Sequence, residues 1–115
     1  LLISGNLVTG STSDQGIEIA YSPIDFNFDV RSNTITGNDV GLMLENDFGF
    51  SMPTAGGNGF GDNNSQDTIA LNSVHDNVQG GFQIGGARTG ANLTRKTVTQ
   101  NCIYNNGSVG LDLIN

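Results

Sequence analysis

Apolar and polar positions alternate along this chain in short runs, and the runs recur in one frame. Four segments align. The first is Ile3-x-x-Asn6-x-Val8, followed by Gly16-Ile17-x-Ile19. The second is Val30-x-x-Asn33-x-Ile35-x-x-Asn38, followed by Gly41-Leu42-x-Leu44. The third is Ile69-x-x-Asn72-x-Val74-x-x-Asn77, followed by Gly81-Phe82-x-Ile84. The fourth is Val98-x-x-Asn101-x-Ile103-x-x-Asn106, followed by Gly110-Leu111-x-Leu113. All four apolar positions of the template are filled in every copy. Asn6, Asn33, Asn72 and Asn101 lie 27, 39 and 29 residues apart, a range of periods that marks a stacked array. Each unit holds period-2 apolar stretches between turn residues, which predicts two or three short strands per unit. Gly and Asn are poor helix formers and are dense throughout, so no helix is expected.

One such unit cannot bury its own apolar side chains, but stacked units can. Coils about 4.8 Å apart place each aliphatic on its counterpart above and below. Four inward columns follow: Ile3/Val30/Ile69/Val98, Val8/Ile35/Val74/Ile103, Ile17/Leu42/Phe82/Leu111 and Ile19/Leu44/Ile84/Leu113. Asn6, Asn33, Asn72 and Asn101 are expected to form a ladder at a tight turn, each amide bonding its neighbour in the next coil. Asn is also expected to take a left-handed backbone there. Asn38, Asn77 and Asn106 form a second predicted ladder, with Ser11 in the first coil. Gly16, Gly41, Gly81 and Gly110 open the longest strand, where a positive φ is expected.

The stretch Asn101-Cys102-Ile103-Tyr104-Asn105-Asn106-Gly107-Ser108-Val109-Gly110-Leu111-Asp112-Leu113 resembles the N-x-I-x-x-N-G-x-x-G-L-x-L repeat of the right-handed parallel β-helix repeat family. The resemblance covers most of the chain outside an insert at 45–66. It implies an all-β fold: a right-handed parallel β-helix (solenoid) of about four coils with that one long inserted loop. The handedness also follows from the bias of β-crossover connections. Members of that family include secreted polysaccharide lyases and hydrolases, adhesins, phage tailspikes and large bacterial surface proteins. The Asn/Gly-rich form of this chain is most similar to the last group.

The insert runs from Glu45 to Gln66 and carries Phe48, Phe50, Met52 and Phe60. Such a loop can present aromatics to a sugar, or fold them back onto the flank of the coil, as large apolar side chains usually do. From Ala20 to Phe28 the interruption is smaller. There Ile24, Phe26, Phe28 and Val30 alternate with Asp25, Asn27 and Asp29, the pattern of a half-buried strand.

Composition narrows the function classes. The chain has 115 residues, 17 Gly, 15 Asn and a formal net charge of −7, which fits one domain. Only Arg31, Arg88, Arg95 and Lys96 are basic, so nucleic acid is not an expected partner. No run of eighteen apolar residues occurs, so no membrane-spanning helix is expected. The single cysteine, Cys102, leaves no internal disulfide and no Cys-based zinc site.

Candidate chemistry is sparse. Asp25-x-Asn27-x-Asp29 has the start of a calcium-loop spacing, but Val30 and Thr36 stand where an EF-hand needs Gly and Glu. Gly56-Gly57-Asn58-Gly59-Phe60-Gly61-Asp62 resembles a calcium nonapeptide with its Asp one residue late. Asp62, Asn64 and Asp67 are therefore the calcium candidate, and no cofactor is required. His75, the only histidine, is expected as an exposed residue in a column with Thr9, Thr36 and Tyr104, with Asp76 merely its sequence neighbour. Glu18 and Asp112 occupy equivalent outward positions three coils apart, roughly 14 Å, beyond the carboxylate spacing of glycosidases. No catalytic constellation emerges. Sequons occur at Asn63, Asn92 and Asn106, the last within a predicted ladder.

The ends carry no polar cap: Leu1-Leu2-Ile3 opens the chain and Leu113-Ile114 closes it. The expectation is one β-helix segment, either part of a longer chain or a filament protomer. Its partners would be neighbouring coils or identical subunits stacked head to tail. The function expected is an extracellular or cell-surface structural scaffold. The alternative is a carbohydrate-binding or carbohydrate-cleaving module whose partner is a polysaccharide, using Phe48, Phe50 and Phe60.

Overall fold

A computed structural model describes residues 1–20, 28–45, 67–85 and 96–114. Side chains of Ala20, Glu45, Asp67, Gly85, Lys96, Leu113 and Ile114 fall outside that description. The described chain forms twelve strands and no helix. The first coil holds β1 (Leu2–Ser4), β2 (Leu7–Thr9) and β3 (Gln15–Ala20). The second holds β4 (Asp29–Arg31), β5 (Thr34–Thr36) and β6 (Val40–Glu45). The third holds β7 (Asp67–Ala70), β8 (Ser73–His75) and β9 (Gly80–Gly85). The fourth holds β10 (Lys96–Thr99), β11 (Cys102–Tyr104) and β12 (Leu111–Ile114).

Equivalent strands pair in parallel. Three four-stranded sheets result, in the orders β1-β4-β7-β10, β2-β5-β8-β11 and β3-β6-β9-β12. This is a parallel β-helix of four coils. The register follows the aligned template residue by residue. Ile3 pairs with Val30, Val30 with Ile69, and Ile69 with Val98. Val8, Ile35, Val74 and Ile103 form the second column. The other two columns run Ile17/Leu42/Phe82/Leu111 and Ile19/Leu44/Ile84/Leu113. The three-residue strands alternate outward, inward, outward, so one apolar side chain per strand suffices to specify the register.

The core sits inside the coil and is deepest in the two middle turns. Val30, Ile35, Leu42, Leu44, Val74 and Phe82 are fully enclosed, and Phe28 joins them. Phe28 and Val30 continue the alternation read in the sequence; residues 21–27 of that predicted strand lie outside the described residues. Val40 is also buried. It lies in the gap that the template leaves variable, and its burial was not legible from the repeat.

Candidate functional site

Seven asparagines build the two ladders, and the geometry of each rung is the same. Asn33 donates both its backbone N–H and its Nδ2 to Oδ1 of Asn72, each at 3.0 Å. Asn6 does so to Asn33, and Asn72 to Asn101, within 2.9–3.0 Å. The other Nδ2 hydrogen turns back to the preceding coil. Asn33 donates to the carbonyl of Ile3, Asn72 to that of Val30 and Asn101 to that of Ile69. In the second ladder Asn38 donates to Oδ1 of Asn77, and Asn77 to Oδ1 of Asn106. Ser11 takes part through its backbone N–H, which donates to Oδ1 of Asn38 at 3.1 Å. Asn33, Asn38, Asn72 and Asn77 are buried, yet no buried side-chain polar atom among the described residues lacks a partner. Asparagine suits this position because one short side chain supplies an acceptor and two donors.

The left-handed backbone falls one residue earlier than the sequence predicts. It belongs to Gly5, Ser32, Leu71 and Gln100 before the first ladder, and to Gly10, Gly37, Asp76 and Asn105 before the second. The ladder asparagines themselves are not in that region. The turn residue reverses the chain, and its neighbour aims an amide along the stack. Leu71 at φ 59° is unusual, since a left-handed backbone costs an L-residue with a Cβ roughly 1–2 kcal/mol.

The glycine column also has a different cause from the one expected. None of Gly16, Gly41, Gly81 and Gly110 has a positive φ. Gly16, Gly41 and Gly81 are needed because the next coil comes too close, whereas a Cβ on Gly110 would meet only Ile103 of its own coil, at 3.3 Å. A Cβ on Gly81 would lie 2.5 Å from the carbonyl oxygen of Gly110 and 2.9 Å from Nδ2 of Asn106. A Cβ on Gly16 would lie 2.7 Å from Nδ2 of Asn38, and one on Gly41 2.6 Å from Cγ1 of Val74. The second Asn ladder therefore sits where a side chain at this column would otherwise be.

Outside the coil, His75 is less isolated than its sequence setting implied. Its ring stacks on Tyr104 of the next coil, with centroids 4.7 Å apart and an interplanar angle of 12°. Its Nδ1 lies 2.7 Å from Oδ2 of Asp76 and 3.4 Å from Oγ1 of Thr36. The contact with Asp76 is direct rather than mere adjacency, and the ring is half-covered rather than exposed. Asp29, the one described member of the Asp25/Asn27/Asp29 set, pairs with Arg31, whose Nε lies 2.8 Å from Oδ1. That carboxylate is paired with its own strand neighbour, and Asp25 and Asn27 lie outside the described residues. Gln79 donates to Asp39 across coils at 2.8 Å. No three of His, Cys, Asp or Glu among the described residues come together around a possible metal ion.

Of the residues singled out in the insert, Phe48, Phe50, Phe60, Asp62 and Asn64 lie outside the described residues. Asp67 opens β7, but its side chain is not described. The sequons at Asn63 and Asn92 also lie outside. The third, Asn106, spends its amide on the ladder, accepting from Asn77 and donating to Val74.

The two ends of the coil form the remaining feature. Ile3, Val8, Val98 and Ile103 are half-buried members of columns that are closed at the centre. Leu111 is 42% exposed and Leu7 69%. Strands β1, β2 and β3 bound the sheets on one side, and β10, β11 and β12 on the other. Five of these six strands contain neither Lys nor Arg, the residues that commonly protect an open edge. Compared with family models, with curated proteins and with solved structures, the chain matches none.

Proposed function

We propose that this chain is a segment or protomer of an extracellular structural β-helical scaffold, a surface stalk, sheath or filament whose coils stack end to end. The pair of open ends carries this reading. At each end three strand edges stand without a strand neighbour among the described residues, and Ile3, Val8, Val98, Ile103 and Leu111 are only partly covered, although Ile17 and Ile19 of the first coil are buried. An edge of that kind is a template for another coil, and terminal units of solenoids need covering for solubility. Acidic charge and a surface of Asn, Gly and Thr suit a solvated exterior.

The test is the mass of residues 1–115 in solution, by light scattering on a sizing column over a range of concentrations. Polymer that lengthens with concentration is the expected result, as for any head-to-tail contact that does not close on itself. A monomer at every concentration would overturn the stacking reading.

A further inference from the structure

The ladders have a direction, and the direction makes the two ends different. In every rung the earlier coil donates and the later coil accepts through Oδ1. The fourth coil is therefore left with a donor: the backbone N–H of Asn101 has no ladder acceptor among the described residues, while its Nδ2 turns to the carbonyls of Ile69 and Thr99. The first coil is left with an acceptor, because Oδ1 of Asn6 receives no hydrogen bond among the described residues. Backbone bonds run the opposite way at the same turn, with Thr34 N–H donating to the Asn6 carbonyl and Cys102 N–H to the Asn72 carbonyl. The Asn101 carbonyl is thus left to accept and the Leu7 N–H to donate.

Resting on the stacking reading above, we propose that the occupant of each end is a second copy of this chain, seated in one register. The fourth coil of one copy lies on the first coil of the next, Asn101 on Asn6 and Cys102 on Leu7. In that register Val98 meets Ile3, Ile103 meets Val8 and Leu111 meets Ile17, repeating the aliphatic pairings inside the molecule. The left-handed turns coincide as well, Gln100 over Gly5 and Asn105 over Gly10. Gly110 lies over Gly16, the close approach that the glycine column serves within the chain. Asn106 faces Ser11, whose hydroxyl oxygen accepts in place of an amide.

One outward row works against the contact. Asp112 comes to lie beside Glu18, whereas inside the molecule Glu18 pairs with Met43 and Asp112 with Gln83. This mismatch gives the register a signature. A Glu18→Lys variant replaces repulsion by attraction at the junction, and polymer then forms at about two- to five-fold lower concentration in low salt. Adding Asp112→Lys to it reverses the gain.

The deciding experiment uses Cys102 as a probe. Parallel neighbours about 4.8 Å apart fall within the Cα separation of about 4.4–6.8 Å that a disulfide spans. Leu7 and Cys102 are both exposed, so Leu7→Cys leaves the fold intact. Oxidised with copper phenanthroline, the Leu7→Cys chain gives a ladder of covalent multimers on a non-reducing gel. Leu7→Cys with Cys102→Ser gives none, and Thr9→Cys, two residues out of register, gives far less. Polymer by light scattering without that covalent ladder, or with equal crosslinking from Thr9→Cys, overturns the register while stacking itself stands. Monomer by light scattering together with no crosslink overturns both.

Discussion

The two middle coils and the two end coils carry the same template, yet they are different environments. Phe82 in the third coil is 0% exposed, whereas Leu111, its counterpart in the fourth, is 42% exposed. Asn72 is 1% exposed, while Asn6 in the same ladder is open to solvent. Nothing in the local sequence explains this. A β-helical residue is buried from inside by its own coil and from above and below by two others, and an end coil lacks one of those; Ile17 and Ile19 of the first coil are the exceptions, buried at 7% and 4% exposure. Full burial of an aliphatic side chain contributes about 1.5–3 kcal/mol, whereas a like-charged pair of side chains on neighbouring strands costs roughly 0.2–1 kcal/mol. Covering the end columns would therefore outweigh the meeting of Glu18 with Asp112.

Substitution at paired positions tests the comparison, beginning with the core. Phe82→Ala is expected to cost about 3–5 kcal/mol in urea unfolding, and Leu111→Ala less than about 1 kcal/mol at dilutions that keep the chain monomeric. Equal costs would mean that the fourth coil is already covered. The ladder comes next. Asn72→Ala removes the acceptor used by both the N–H and the Nδ2 of Asn33. The expected loss is about 1–3 kcal/mol for each group left unpaired. Asn6→Ala removes no acceptor that another residue uses, so its urea midpoint moves little.

The glycine column gives a smaller contrast. Gly81→Ala puts a methyl 2.5 Å from a backbone oxygen and is expected to cost about 1–3 kcal/mol. At Gly110 the nearest atom would be Cγ2 of Ile103 at 3.3 Å, which can give way, so Gly110→Ala shifts the thermal midpoint only slightly. The smallest effect should not depend on position at all. Leu71→Gly in the third coil and Gln100→Gly in the fourth each relieve a left-handed backbone. Both are expected to gain up to about 1 kcal/mol, because φ strain is local. A gain at one site only would show that coil stacking, rather than the turn, sets the strain.

The columns were legible because one apolar side chain per short strand, fixed in frame by the asparagines, leaves no other register in which the copies agree. The ladders were legible for the same reason, down to Ser11 in the first coil. Turn chemistry was read one residue late. Before the second ladder Gly10, Gly37, Asp76 and Asn105 are residue types that accept a positive φ, but before the first Leu71 and Gln100 break the column that Gly5 begins and hide it. The recurring glycine is visible in the sequence but its cause is not, since a clash with the next coil does not show within one repeat. His75 looked unpartnered because Tyr104 lies in another coil, and Asp76, its neighbour in sequence, shows no contact until the turn is folded.

By itself the sequence determined the number of coils, the four inward columns and the residues of both ladders. These follow from periodicity, and periodicity is a one-dimensional property that survives in the written chain. Only the tertiary structure decided which turn residue is left-handed, why the glycines are required, how His75 meets Tyr104, and which copies of the template are buried. Each of those depends on the distance between atoms of successive coils, and that distance is fixed only when one coil lies on the next.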